Sequence, residues 1–148
     1  MKIRQAKIRD LYLIISWVQN EQECKMWAGP NIRFPLNIEN LLEDIGFAND
    51  TAYCLINGES ILAFGQLLSK KNGFLHLARI IVDPSHRESG YGKILCNELL
   101  QIARQMGYQK ISLNVYRANL IALKLYTNLG FNEVAEKSSV ENCFMIKS

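Results

Sequence analysis

The chain is poor in the features that mark metal centres, membrane anchors and disulfide scaffolds. Its 148 residues include four cysteines and two histidines. Cys24, Cys54, Cys96 and Cys143 form no C-x-x-C pair and have no histidine at zinc-ligand spacing, which argues against a zinc knuckle and leaves them as buried, reduced apolar thiols. No metal is expected. The longest apolar stretches, Leu11 to Val18 and Ile61 to Leu68, fall far short of the roughly 18 residues of a membrane span. Met1-Lys2-Ile3-Arg4-Gln5 leads into an alternating segment with no apolar h-region, so a cytoplasmic chain with no membrane partner is expected. Repeats, linkers and low-complexity runs are absent, and residues 1–148 read as a single domain. With 49% hydrophobic residues the chain is too apolar for disorder. At this length it can bury about two-thirds of its unfolded surface.

What is present is unevenly charged. The net charge is +3, yet residues 1–9 hold four basic and no acidic side chains, residues 10–69 two basic and eight acidic, and residues 70–93 five basic and two acidic. Either this is surface scatter, which a fold can interleave, or an acidic half faces a basic patch. The basic stretch lacks the density and aromatic interleaving of a nucleic-acid binder, and no nucleic-acid partner is expected.

Periodicity and breakers predict the elements. Lys2 to Ile8 alternates as a strand, and Asp10 is placed to cap a helix running to Val18. Asn20 to Leu36, with Gly29-Pro30 and Pro35, reads as a long irregular connection of the kind that often carries function. A helix follows from Ile38 to Phe47. Asn57-Gly58 between Tyr53 to Ile56 and Ile61 to Phe64 predicts a hairpin with a type I′ turn, and Lys71-Asn72-Gly73 turns the chain into a strand over Phe74 to Val82. Gly92 to Met106 is a helix with Leu95, Leu99, Ile102 and Met106 on one face, stopped by Gly107. Lys110 to Tyr116 alternates, completing a strand-helix-strand unit that requires parallel pairing. Leu120 to Leu129 is a helix, and Phe131 to Glu136 with Asn142 to Lys147 closes the chain as strands.

Chemistry concentrates in residues 76–100. A strand, a break at Asp83-Pro84, the loop Ser89-Gly90-Tyr91-Gly92 and a helix start follow at once, turning backbone N–H groups inward where the helix dipole also favours an anion. Arg87 and Lys93 add positive charge, and a diphosphate is the natural guest. A dinucleotide fingerprint would need a glycine where Leu95 stands, and a P-loop a Ser or Thr where Ile94 stands.

Ile80-Ile81-Val82-Asp83-Pro84 followed by Arg87-Glu88-Ser89-Gly90-Tyr91-Gly92, and then Asn119, Ala122 and Leu125-Tyr126-Thr127-Asn128-Leu129-Gly130-Phe131, are two motifs in the order and spacing of one family. On them residues 74–131 resemble the core of the GNAT superfamily, the acyl-CoA-dependent N-acetyltransferases. The motifs are most similar to those of ribosomal-protein alanine and small-amine acetyltransferases. The resemblance implies an α/β fold, a mixed, mostly antiparallel sheet of about six to seven strands flanked by about four helices. It implies acetyl-CoA as co-substrate and transfer of its acetyl group to a primary amine of a small molecule or peptide by direct attack on the thioester. The backbone of Ile80, Ile81 and Val82 would then hold the pantetheine arm like an added strand. Arg87 and the N–H groups of Glu88, Ser89, Gly90, Tyr91, Gly92 and Lys93 would hold the pyrophosphate. Asn119 matches an asparagine near the cofactor arm, and Tyr126 the tyrosine that protonates the departing thiolate.

The base has two readings. Asn114 stands where the ribosomal-protein enzymes carry glutamate, and an amide cannot take the proton. His76 falls where other members place a glutamate or histidine; it is either the general base, directly or through water, or a satisfied strand histidine. Arg79 is read as an ion-pair partner or a cofactor contact, on the opposite strand parity from His76. Acceptor choice is assigned to Glu23, Trp27 and Arg33 in the 20–36 connection, Trp27 either covering a cation or anchoring its loop. The acidic balance of residues 10–69 favours a cationic amine. The alternative to an enzyme is a non-catalytic acyl-CoA-sensing module, and the chain is expected to be a monomer or homodimer.

Overall fold

Residues 1–148 are described by a computed structural model. In chain order the elements are β1 (Lys2–Gln5), α1 (Asp10–Ser16), α2 (Glu21–Ala28), α3 (Ile38–Asp44), β2 (Ala52–Asn57), β3 (Ser60–Ser69), β4 (Leu75–Val82), a 3-10 turn (Pro84–His86), α4 (Tyr91–Gln105), β5 (Ile111–Tyr116), α5 (Leu120–Asn128), β6 (Asn132–Glu133), a second 3-10 turn (Ala135–Lys137) and β7 (Asn142–Lys147). The strands make one seven-stranded sheet, ordered β1-β2-β3-β4-β5-β7-β6 and mostly antiparallel, so the α/β class and strand number are as expected. β4 and β5 pair in parallel at Leu75–Ile111 and His76–Ser112, as the strand-helix-strand unit requires. The chain packs as two compact units, Met1–Gln66 with Arg79–Leu95, and Leu67–Ala78 with Cys96–Ser148.

In the first unit β1 pairs antiparallel with β2, from Lys2 opposite Ile56 to Gln5 opposite Tyr53. The β2–β3 hairpin closes at Asn57 opposite Ser60, so its two loop residues are Gly58 and Glu59, one position later than the sequence suggests. Gly58 takes φ +61° while Asn57 does not enter the left-handed region. A glycine at the first loop position fits the II′ pattern rather than I′. Leu11, Ile14, Trp17, Cys24, Leu41, Ile45, Cys54, Phe64 and Ile81 form the core of this unit.

The fold has five α-helices, not about four. The extra one, α2, occupies the segment expected to be irregular. Asn20 accepts a bond from the Glu23 N–H at 2.8 Å and Glu23 Oε1 accepts from the Gln19 N–H at 3.0 Å, a capping exchange that satisfies two otherwise orphaned donors at the start of the helix. Gly29, at φ +93°, ends it.

Asp10 differs from its expected role too. It is the first residue of α1 rather than its cap, and it is buried. Arg4 donates to both its oxygens, Nη1 to Oδ2 at 2.7 Å and Nη2 to Oδ1 at 3.0 Å, and the Lys7 N–H donates at 2.7 Å. Burial alone would raise the Asp10 pKa, but the bonds from Arg4 and Lys7 and the charges of Arg4 and Arg9 outweigh it and hold the carboxyl below its usual range. A carboxyl lowered on folding stabilises the fold above its unfolded value, about 3.9, and that contribution is lost as pH falls through the lower folded value. Asp10→Asn is therefore expected to cost about 2 kcal/mol near neutrality in urea titrations. The gap to wild type should stay constant from about pH 7 to pH 5 and shrink below about pH 4. A gap independent of pH down to acid unfolding would contradict the assignment.

The second unit is ordered around β5 and β7, antiparallel from Ile111 opposite Lys147 to Tyr116 opposite Asn142, with β6 pairing on β7 at Asn132–Ile146 and Glu133–Met145. Its buried side chains include Leu99, Leu100, Ala103, Leu113, Phe131, Cys143 and Met145. On α4 the buried stripe runs Leu95, Cys96, Leu99, Leu100, Ala103. Met106, expected on that face, lies past the last helical residue and is exposed. All four cysteines are free and buried.

Candidate active site

The first unit carries the candidate anion site. Asp83 ends β4 by capping the following 3-10 turn, accepting from the Ser85 N–H at 2.9 Å and Oγ at 2.8 Å, while its own N–H donates to the Leu62 carbonyl at 2.9 Å. Pro84, with its fixed φ, opens that turn. The Asp-Pro pair is thus a device that redirects the chain from β4 into the loop.

In that loop the backbone alternates between hands. Glu88 takes φ +66° and Gly90 φ +83°, and α4 starts at Tyr91. A Cβ on Gly90 would meet nothing within 4 Å, so the glycine serves its dihedral and not its size. The first amide of the region to find an acceptor in the chain is that of Ile94, on the Gly90 carbonyl at 3.1 Å. The N–H groups of residues 88–93 make no hydrogen bond within the protein. Such a run of unpaired amides at the start of a fifteen-residue helix, with the dipole behind it, has the chemistry to hold an anion. Arg87, Glu88, Ser89, Gly90 and Lys93 are exposed, Tyr91 and Gly92 partly so. Arg87 Nε reaches back to the Val82 carbonyl at 3.4 Å, and His86 meets Tyr91 edge-on with ring centroids 5.9 Å apart. The donor set fits a diphosphate, the group expected from the sequence.

Upstream on β4, Ile81 is buried and Ile80 and Val82 are partly exposed. Arg79, just before them, takes φ +53°, so strict alternation breaks there and parity counted from His76 does not carry past it. Its guanidinium has no ion pair. Nη1 donates to Gln66 Oε1 at 3.0 Å and to the Ile45 carbonyl at 3.4 Å, and Nε is enclosed without an acceptor. Burial lowers the Arg79 pKa. Gln66 and the Ile45 carbonyl went unread in the sequence, although an amide inside the apolar run Ile61 to Leu68 was the available signal.

The three residues assigned to the acceptor all have local partners. Glu23 caps α2. Arg33 pairs with Asp44 at 2.8 Å and Glu43 at 3.2 Å. Trp27 donates its indole N–H to the Arg79 carbonyl at 2.9 Å and packs edge-on against Phe64, with ring centroids 6.4 Å apart. Trp27 thereby anchors α2 to β4 beside Ile80.

The second unit holds the candidate proton-handling groups. Tyr126 lies on α5, its ring buried and edge-on to Phe131 at 6.1 Å. Its hydroxyl has no partner in the chain and is not fully enclosed. Burial, with Cys96 adding in the same direction, pushes the phenol well above its ordinary pKa. It is a proton donor at neutral pH, not a base. Asn119 caps α5, its side-chain oxygen accepting from the Ala122 N–H at 3.2 Å. His76 is buried on β4 with Nδ1 2.7 Å from Ser112 Oγ on β5. Asn114 accepts from Asn142 Nδ2 at 2.9 Å, a cross-strand amide contact.

The chain is similar to known proteins in sequence and in fold. The family model described as Acetyltransferase (GNAT) family matches residues 14–131. N-acetyltransferase 8 of Homo sapiens is 36% identical over 62 residues, 42% of this chain and 27% of that protein. A ribosomal-protein alanine N-acetyltransferase of Haemophilus ducreyi is 35% identical over 78 residues, 51% of this chain and 52% of that protein. The matched segments therefore span between about a quarter and a half of these relatives' lengths. In fold the chain is similar to the PaiA N-acetyltransferase of Thermoplasma acidophilum, solved in complex with coenzyme A, with a TM-score of 0.78, 21% identity, and 99% and 98% of the two chains covered.

Proposed function

Because the chain belongs to the GNAT acetyltransferase family, we propose that it transfers an acetyl group from acetyl-CoA to a primary amine of a small molecule or peptide. The observation that carries the reading is the unpaired amide run of residues 88–93 at the start of α4. Arg87, Glu88, Ser89, Gly90, Tyr91, Gly92 and Lys93 hold the diphosphate, and the backbone of Ile80, Ile81 and Val82 takes the arm as an added strand. Acetyl-CoA supplies the acetyl group already activated as a thioester.

An alkyl ammonium with a pKa near 10 must lose a proton before it can attack. His76 is assigned that proton, directly or through water, with Ser112 fixing its ring through Nδ1. The neutral amine attacks the thioester carbon, the N–C bond forms as the C–S bond breaks, Tyr126 gives its proton to the sulfur, and the proton then lost from the acylated nitrogen restores the Tyr126 phenol. Asn119 orders the start of the helix that carries Tyr126.

Thiol release measured with acetyl-CoA over a panel of amines tests the reading. Release that requires an amine, matched by acetylated product, is the expected result. Acetyl-CoA binding without release for every amine would instead mark a sensing module.

A further inference from the structure

Arg79 is a cation with no counter-charge. Its two acceptors, the Gln66 side-chain carbonyl and the Ile45 backbone carbonyl, are neutral and engage only Nη1. Nε is enclosed and unpartnered, and Nη2, also without a partner in the chain, is not enclosed. No carboxylate of the chain pairs with it, and three of the same unit are held by other arginines, Asp10 by Arg4 and Glu43 and Asp44 by Arg33. A half-buried guanidinium left this way costs stability, and proteins tolerate such a cost where a ligand relieves it.

The arrangement looks built. Gln66 is fully buried and donates its Nε2–H to the Ile45 carbonyl at 3.0 Å, which turns its Oε1 toward Arg79 and fixes the plane of the fork. Trp27 holds the Arg79 carbonyl, and the φ of +53° keeps the backbone in a conformation rare outside glycine. Nη1 is engaged and Nε is enclosed, so Nη2 is the donor of the fork left open for a carboxylate, held as a charge-assisted hydrogen bond.

We propose that Arg79 is the anchor for a carboxylate carried by the acceptor, so that the substrate class is an amine bearing a carboxylate, such as an amino acid. This rests on the acetyltransferase reading. The carboxylate pairs end-on with the open Nη2, placing the acceptor beside Ile80, where the thioester arm is assigned. The negative balance of residues 10–69 suits the ammonium end of the same zwitterion.

Matched acceptors test it: leucine, leucinamide and 3-methylbutylamine share a side chain and an amine but only the first has a carboxylate, and glutamate, alanine and lysine with their amides extend the series. Wild type is expected to favour acids over amides by tenfold or more in kcat/KM, and Arg79→Lys to reduce that ratio about ten- to hundredfold with the coenzyme A dissociation constant unchanged. The double variant Arg79→Met/Gln66→Met removes the whole network without orphaning the Gln66 carbonyl and should lose the preference as well. Amides turned over as fast as acids by wild type, or a preference surviving in both variants, would overturn the inference while leaving the transferase reading intact. If no amine is acetylated, the transferase reading fails. Calorimetric binding of N-acetylleucine against N-acetylleucinamide then decides the carboxylate site by itself, equal affinities overturning it.

Discussion

Replacing Tyr126 by phenylalanine is expected to lower kcat by about 10²- to 10⁴-fold while leaving coenzyme A affinity unchanged, the range a single general acid contributes. The substitution removes one oxygen and keeps the ring, so the edge-on contact with Phe131 survives. Because the hydroxyl has no partner in the chain, the variant should melt at or slightly above the wild-type temperature. The three readings together separate chemistry from folding. Burial holds the phenol protonated above its ordinary value, so Tyr126 should add no descending limb to the pH–rate profile of the wild type up to about pH 10. Equal turnover by Tyr126→Phe and wild type across pH would remove this residue from the mechanism.

The second large effect is expected at Gly90. Its φ of +83° is strained for any side chain, and most for a β-branched one, while space for a Cβ is open. Gly90→Val is therefore expected to distort the loop rather than clash, pulling several amides of residues 88–93 off a common centre. Each charge-assisted bond lost is worth about 1.5–3 kcal/mol, so coenzyme A should bind at least tenfold more weakly. Gly90→Ala should fall between the two. Turnover at saturating acetyl-CoA should change far less than the dissociation constant, because no proton-handling group is touched. Unaltered affinity in Gly90→Val would mean that the loop's dihedrals do not shape the cradle.

Much of this was legible in the sequence where a local signal matched the tertiary role. The glycine loop before α4, the helix over Leu120 to Leu129 and the parallel β4–β5 pairing all follow from short-range pattern. Helix α2 does carry local signals, the capping pair Asn20 and Glu23 and the stop at Gly29, but they are short and sit beside the breakers Gly29-Pro30 and Pro35, which read as irregular chain. Asp10 looked like a cap because nothing local reveals that Arg4, on the preceding strand, folds back to it. The break at Arg79 has no sequence signature, since positive φ is not expected of an arginine, and so strand parity read from the sequence does not reveal it. The tie between Trp27 and the Arg79 carbonyl joins residues 52 positions apart and was out of reach of any window.

Single-turnover transfer of a labelled acetyl group tests the central claim most directly. With protein in excess over acetyl-labelled acetyl-CoA and a primary amine present, the label should pass to the amine nitrogen, one acetyl per thiol released, with none retained on the protein. Label that stays on coenzyme A whether or not an amine is present would contradict the claim, as would label trapped on a side chain of the protein itself.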